Sequence, residues 1–162
     1  MSLGERVDVA DPISVCYETA AQNALAAGTL LIAAAGNDSF RPGVVVPVHK
    51  PANCPSIMAV GAVDPSMLVA SFTASGLVAG GGEVDLAAPG VNIYSSWRTT
   101  LNPPYLRRNG TSEATPFAAA IAALYVQAQG VTAMALWNRL TATALALPLP
   151  VADVGAGLVQ AP

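Results

Sequence analysis

Leu30-Leu31-Ile32-Ala33-Ala34-Ala35 is an unbroken apolar run that stops at Gly36-Asn37-Asp38. A run this short, apolar on both faces and closed by turn residues, predicts a central strand of a parallel sheet, covered above and below. Two other segments behave alike. Ser56 to Val63 ends at Asp64-Pro65, and Val84 to Ala88 ends at Pro89-Gly90, with Val91 to Ser95 as its continuation. Before the first strand, Ile13, Tyr17, Ala20, Ala24 and Ala27 recur at helical spacing. Asp11-Pro12 reads as the N-cap and first residue of that helix, and Gly28 as its C-cap. Gly110-Thr111-Ser112 opens a helix to Gln129 that is apolar nearly all round and is expected to be buried. Ala133 to Leu145 is a last helix, with Trp137 and Leu140 inward and Pro148 and Pro150 beyond it. Residues 39–55 and 98–110, the latter with Pro103-Pro104, read as loops. The order predicts one α/β domain, a mostly parallel sheet with flanking helices.

Charge sharpens the picture. Hydrophobic residues make up 53% of the chain and charged residues 10%, against about 25% charged in an ordinary soluble domain. Disorder is excluded. With 7 Lys+Arg and a net charge of −3 there is no electrostatic footprint for nucleic acid. The longest apolar run, Phe117 to Val126, is half of the ~20 residues a membrane span needs, so no span is expected. Cys16 and Cys54 are too few for a disulfide scaffold, although one bridge is arithmetically open. No signal-peptide pattern is visible; Met1-Ser2-Leu3 reads as an expression remnant, which puts the domain at 4–162. So little charge implies burial on many sides, or a face that another part covers.

Three segments can carry chemistry. Ala34-Ala35-Gly36-Asn37 closes a buried strand, and ligand sites in parallel sheets lie at the carboxyl ends of strands. The Asn amide can donate to a ligand oxygen there, or the segment is an ordinary turn. In Asn109-Gly110-Thr111-Ser112-Glu113-Ala114-Thr115-Pro116, a serine meets the free N–H groups and positive dipole end of a helix, which can hold an oxyanion. The same serine is equally a helix N-cap, with Glu113 a first-turn acid and Pro116 a first-turn proline. Gly155-Ala156-Gly157-Leu158-Val159-Gln160-Ala161 is by itself a turn signal.

In order, these segments resemble the subtilisin-like serine proteases, the subtilase family. AAGN looks like the family's oxyanion-hole segment, and Pro51 to Ser56 with IMAVGAVD like its next approach and strand. Ala70-Ser71-Phe72 and VDLAAPG match the segments after that. NGTSEATPFAAAIAAL looks like the nucleophile motif, and Gly157-Leu158-Val159 like the closing segment. The resemblance covers nearly all of residues 13–161. It implies a serine endopeptidase acting on peptides or proteins, with Ser112 as nucleophile and Asn37 as oxyanion donor beside the Ser112 N–H. Ala34, Ala35 and Gly36 become one wall of the pocket for the residue before the scissile bond, and Asn109, Gly110 and Thr111 the approach that aims the serine. Glu113 and Phe117 depart from the family, which usually has Met and His there.

The family's Asp and His motifs, which precede the oxyanion asparagine, are not found in this sequence. Asp11, His49 and Ser112 occur in the family's triad order, but His49 follows Asn37 and sits in a proline-rich loop, so it is expected to be an exposed loop histidine and not the base. The chain therefore reads as the C-terminal portion of a subtilase catalytic domain, incomplete and inactive alone, exposing an apolar face to a missing N-terminal half or to a second copy. A degenerate, non-catalytic binding or folding module is the alternative. An α/β-hydrolase esterase fits less well: Gly110-Thr111-Ser112-Glu113-Ala114 approaches that elbow, yet no histidine follows Ser112, and AAGN and VDLAAPG go unexplained. No cofactor is identifiable. Calcium is common in the family, but no acidic ligand run or other metal set is visible. The family resemblance also implies secretion.

Overall fold

The computed structural model describes residues 1–78, 80–98, 100, 102 and 104–162. Three strands, β1 (Leu31–Ala34), β2 (Ile57–Val63) and β3 (Leu86–Pro89), form a parallel sheet in the order β1-β2-β3. β1 and β2 are the first two expected segments trimmed at their ends, while β3 starts two residues later than expected and includes Pro89, read as its stop. All seven residues of β2 are buried, as a strand covered on both faces requires.

Side chains alternate between two layers. Ile32, Met58, Val60, Ala62, Leu86 and Ala88 pack against Ala114, Ala118, Ala122 and Tyr125 of helix α2 (Thr111–Gln129), and against Leu136 and Leu140 of α3 (Ala133–Thr143). Ala33, Ala35, Ile57 and Ala59 face the other way, toward Ala21 of α1 (Val15–Ala26) and the loop residues Val46, Val48, Ala52 and Cys54. The expected α/β architecture, a parallel sheet with flanking helices, is what forms.

The sheet's two edges differ. Beyond β3, Ala87 N–H donates to the Gly157 carbonyl and Val159 N–H to the Ala87 carbonyl, so the tail after α4 (Val151–Val154) closes that side. Beyond β1, the neighbour is Met1: its amino group donates to the Ile32 carbonyl, and Ala34 N–H donates to the Met1 carbonyl at 3.1 Å.

Several expectations need correction. Helix α1 begins three residues after the expected proline, capped by Ser14, whose hydroxyl takes the Tyr17 N–H; Asp11 instead takes the Asp8 N–H. Val91 to Ser95 does not extend β3. Ile93–Ser96 (β4) pairs antiparallel with Tyr105–Arg108 (β5) in a separate hairpin, whose second strand lies inside what the sequence marks as a loop; Pro103 and residues 99 and 101 lie outside the described residues. Cross-strand aromatic and cation–π stacking overrides the loop signals. Tyr94 and Tyr105 stack at 5.7 Å, and the Arg107 and Arg108 guanidiniums lie over Tyr94 and Trp97.

Helix α2 is not buried all round. Thr111, Ala114, Thr115, Ala118, Ala122 and Tyr125 form a single buried stripe, while Phe117 and Leu124 stay 39% and 46% exposed. Three strands cover one face of a 19-residue helix and no more. Among the described residues no single helix is long and apolar enough to cross a membrane. Both cysteines are free, Cys16 exposed and Cys54 buried.

Candidate active site

Strand β1 and helix α2 meet at the carboxyl end of the sheet. Gly90, just past β3, makes the approach possible: its carbonyl accepts the Gly110 N–H at 2.8 Å, and a Cβ on it would lie 2.5 Å from the Ala62 Cβ and 2.7 Å from the Gly110 carbonyl. The entry to α2 is thereby held over Gly36-Asn37.

Gly110 occupies the N-cap position, so Ser112 is the second helical residue and not the cap that its type allows. Pro116 lies beyond the first turn. Having no N–H, it frees the Ser112 carbonyl four residues back, which accepts the Ser2 hydroxyl at 2.8 Å. The Ser112 hydroxyl in turn donates to the Ser2 carbonyl at 3.2 Å.

Asn37 is locked to the same turn. Its Oδ1 accepts the Thr111 N–H at 2.8 Å and the Thr111 hydroxyl at 2.9 Å, and Thr111 Oγ1 accepts the Gly36 N–H at 3.1 Å. Two donors on Oδ1 fix the amide's orientation chemically, so Nδ2, the donor end, faces away from Thr111 and toward the helix entry. Amides of a first helical turn lack intrahelical acceptors. Thr111 gives its N–H to Asn37, which leaves the Ser112 N–H beside the Asn37 amide.

Ser112 separates two cavities. One, about 430 Å³, is largely apolar and lies between the hairpin and α2, against Ile93, Trp97, Arg108, Glu113 and Phe117. Phe117, one of the two departures from the family pattern, is thus a partly exposed wall of this cavity. The other, about 190 Å³, is lined by Ala34, Gly36, Asn37, Asp38, His49, Thr111 and Ser112, with Leu3 and Gly4 at its rim.

Of the residues singled out from sequence, Ala34, Gly36, Asn37, Thr111 and Ser112 come together around the smaller cavity, with Gly110 at its edge through the helix entry. Ala35 does not: it is buried in the layer facing α1. Asn109 is also apart, its Oδ1 taking the Asn92 N–H at 2.6 Å at the root of the hairpin.

The expectation that His49 is exposed fails. It is 4% exposed, and its ring fills the space that a Gly36 Cβ would need, at 2.5–2.7 Å. Gly36 has φ +124°, so glycine is required there twice over. A proline-rich loop looks exposed, but this one folds inward, with His49 N–H donating to the Ala35 carbonyl at 2.8 Å. His49 makes no hydrogen bond to Ser112 among the described residues. Burial holds its pKa below the ordinary value, against the pull of Asp38 and with the push of Arg6. Sequence reasoning missed Asp38 and His49 as cavity residues; the signal open to it was that Asp38 directly follows Asn37. Among the described residues no group of three or more His, Cys, Asp or Glu side chains is gathered.

A family model for the subtilase peptidases matches residues 1–157. The chain belongs to the subtilase family. That range includes Met1-Ser2-Leu3, and it displaces the α/β-hydrolase reading of the Gly110–Ala114 segment. Halolysin from Haloferax mediterranei is 36% identical over 132 residues, 82% of this chain and 23% of that protein. Minor extracellular protease Epr from Bacillus subtilis is 41% identical over 130 residues, 78% of this chain and 17% of that protein. Among solved structures, one described as S41 Psychrophilic Protease superposes with a TM-score of 0.79 at 27% identity, over 99% of this chain and 55% of that one. The subtilase chain thus spans about a fifth of each of these two relatives and about half of the solved structure. At the family level this is homology to serine peptidases.

Proposed function

We propose that this chain supplies the nucleophile and the oxyanion hole of a serine endopeptidase. The Ser112 oxygen bonds to the substrate's carbonyl carbon while its proton passes to a histidine base. The carbonyl oxygen becomes an oxyanion, and the Asn37 Nδ2–H and Ser112 N–H receive it. The proton then returns to the leaving amine, and water releases the acyl group from Ser112. The observation that carries this reading is the pair of Thr111 donors on Asn37 Oδ1, which commits the amide nitrogen to the serine's side. Thr111 acts as a positioning residue.

His49 is not that base: it is packed against Gly36 and turned to Asp38. The base and its carboxylate partner belong to the segment that a subtilase carries before the oxyanion asparagine, and the 162-residue polypeptide alone is inactive. Relationship to a protease named as extracellular supports action outside the cell.

The test is to read the gene upstream of the Met1 codon, express the complete open reading frame and assay peptide hydrolysis. Hydrolysis that falls at least ~10⁴-fold in Ser112→Ala supports the reading. An upstream region without an Asp and a His-Gly-Thr segment, together with an unreactive Ser112, would make the chain the non-catalytic binding module instead.

A further inference from the structure

The smaller cavity beside Ser112 holds polar groups that peptide-bond chemistry does not use. Thr111 Oγ1 is already engaged, accepting from the Gly36 N–H and donating to Asn37 Oδ1, whose two lone pairs are both taken. Asp38 and His49 remain. The Asp38 side chain is about half exposed, and its Oδ2 stands 3.3 Å from His49 Nε2. That approach lacks hydrogen-bond alignment, and Nε2 is buried with no partner. A buried, unpartnered ring nitrogen on a cavity wall needs an explanation.

Charge decides what would satisfy it. At neutral pH the buried imidazole is uncharged, which leaves the Asp38 carboxylate as the one full charge on this wall. Two other charges stand nearby: Arg6 acts on His49 from beyond the cavity, and Glu113, which lines the larger cavity, places its Oε2 2.5 Å from where a Gly110 Cβ would be, a point that Asn37 Nδ2 approaches at 3.4 Å, so a second carboxylate adds negative charge beside this corner. A substrate carboxylate entering here would meet Asp38 and be repelled. An apolar side chain would leave both Asp38 and His49 without a partner. A neutral amide could serve His49 but would leave the carboxylate's charge uncompensated. A cationic side chain serves both, because it brings charge for Asp38 and several N–H donors.

We propose that this cavity receives a basic side chain of the peptide substrate, lysine or arginine, paired with the Asp38 carboxylate and with His49 as a second hydrogen-bonding partner. The proposal rests on the peptidase reading, because it makes the occupant the residue whose carbonyl Ser112 attacks.

The sequence contains a single histidine, so the imidazole resonances of the isotopically labelled chain report on His49 alone. We expect n-butylammonium to shift them saturably, and Asp38→Asn, a substitution at a half-exposed side chain, to weaken that binding about tenfold or more. Butyrate and butyramide should bind more weakly than the ammonium. Absence of a saturable ammonium shift, an unchanged affinity in Asp38→Asn, or tighter binding of butyrate or butyramide would each overturn the proposal.

A second measurement uses the complete protein and peptides that differ only in the residue before the scissile bond. A preference of Lys over Gln, Glu and Leu that collapses in Asp38→Asn supports the assignment. Efficient hydrolysis with Leu preferred and no effect of Asp38→Asn overturns it and leaves the peptidase reading standing. Ammonium binding without hydrolysis of any peptide overturns the peptidase reading, and with it the occupant's identity as a substrate residue.

Discussion

Thr111 grips Asn37 by one atom only: both of its donors, the main-chain N–H at 2.8 Å and the hydroxyl at 2.9 Å, end on Oδ1. Removing the hydroxyl in Thr111→Val leaves the main-chain bond and strands the Gly36 N–H. In the complete protein we expect kcat to fall roughly tenfold with KM nearly unchanged, and Thr111→Ser to restore it. Asn37→Ala should cost more, about 10²–10³ in kcat. Steady-state kinetics on the three variants decides it; a loss confined to KM would contradict the positioning role.

Gly36 carries both a left-handed backbone and the His49 ring. Gly36→Ala adds a methyl 2.5 Å from that ring at φ +124°. We expect destabilisation of roughly 3 kcal/mol or more, since backbone strain and overpacking add. Urea unfolding followed by circular dichroism measures it, and a change below ~1 kcal/mol would show that the loop yields.

Asp85 sits just before β3 with Oδ2 accepting the Ala59 N–H at 2.6 Å. Burial pushes its pKa up from 3.8 to about 7, the Ala59 N–H pulls it down, and Glu83 raises it further. The folded state therefore holds this proton more tightly than the unfolded state. Its stabilising contribution is complete below pH 3.8 and is lost as pH rises toward about 7. Asp85→Asn keeps an acceptor for Ala59 and removes the charge. It should raise Tm at pH 8 and flatten the pH dependence of stability between pH 4 and 7. A lower Tm at pH 8 would count against the assignment.

Arg41 ties the β1–β2 connection to the C-terminal segment. Its guanidinium meets both Asp153 oxygens, at 2.6 and 3.2 Å, and Asp153 Oδ1 also takes the Ser75 hydroxyl at 2.7 Å. Arg41→Ala leaves a buried carboxylate short of its cation and should cost about 3 kcal/mol, near the lower end for a broken buried pair. Asp153→Asn should cost less, because it removes the stranded charge. Equal effects in denaturant melts would contradict the buried-charge explanation.

Phe117 and Leu124 lie seven residues apart on one exposed face of α2. We expect the 162-residue chain to self-associate with rising concentration in light scattering, and Leu124→Glu to shift it toward monomer. A concentration-independent monomer would show that this face is tolerated in water.

The strands were legible because each is a short apolar run closed by Gly, Asn, Asp or Pro, and burial on both faces leaves no polar periodicity to confuse them. The Ser112 and Asn37 segments were legible as an ordered set. The hairpin was not, since its stability comes from Tyr94, Tyr105 and Arg107 meeting across strands and not from any local pattern. His49 was misplaced for a related reason. Its burial depends on Gly36, thirteen residues earlier, having no side chain, and spacing along the chain does not reveal that partnership.

The unequal edges of the sheet carry one more implication. Hydrogen bonds from Ala87 and Val159 seal the β3 side, while the β1 side is bordered by the main chain of Met1. The Met1 main chain therefore holds the β1 edge close to the Ser112–Asn37 corner, where Ser2 exchanges hydrogen bonds with Ser112. A segment that enlarges the sheet on this side meets the main chain of residues 1–2 before it meets β1, so whatever shifts that main chain also shifts the hydrogen bonds on Ser112.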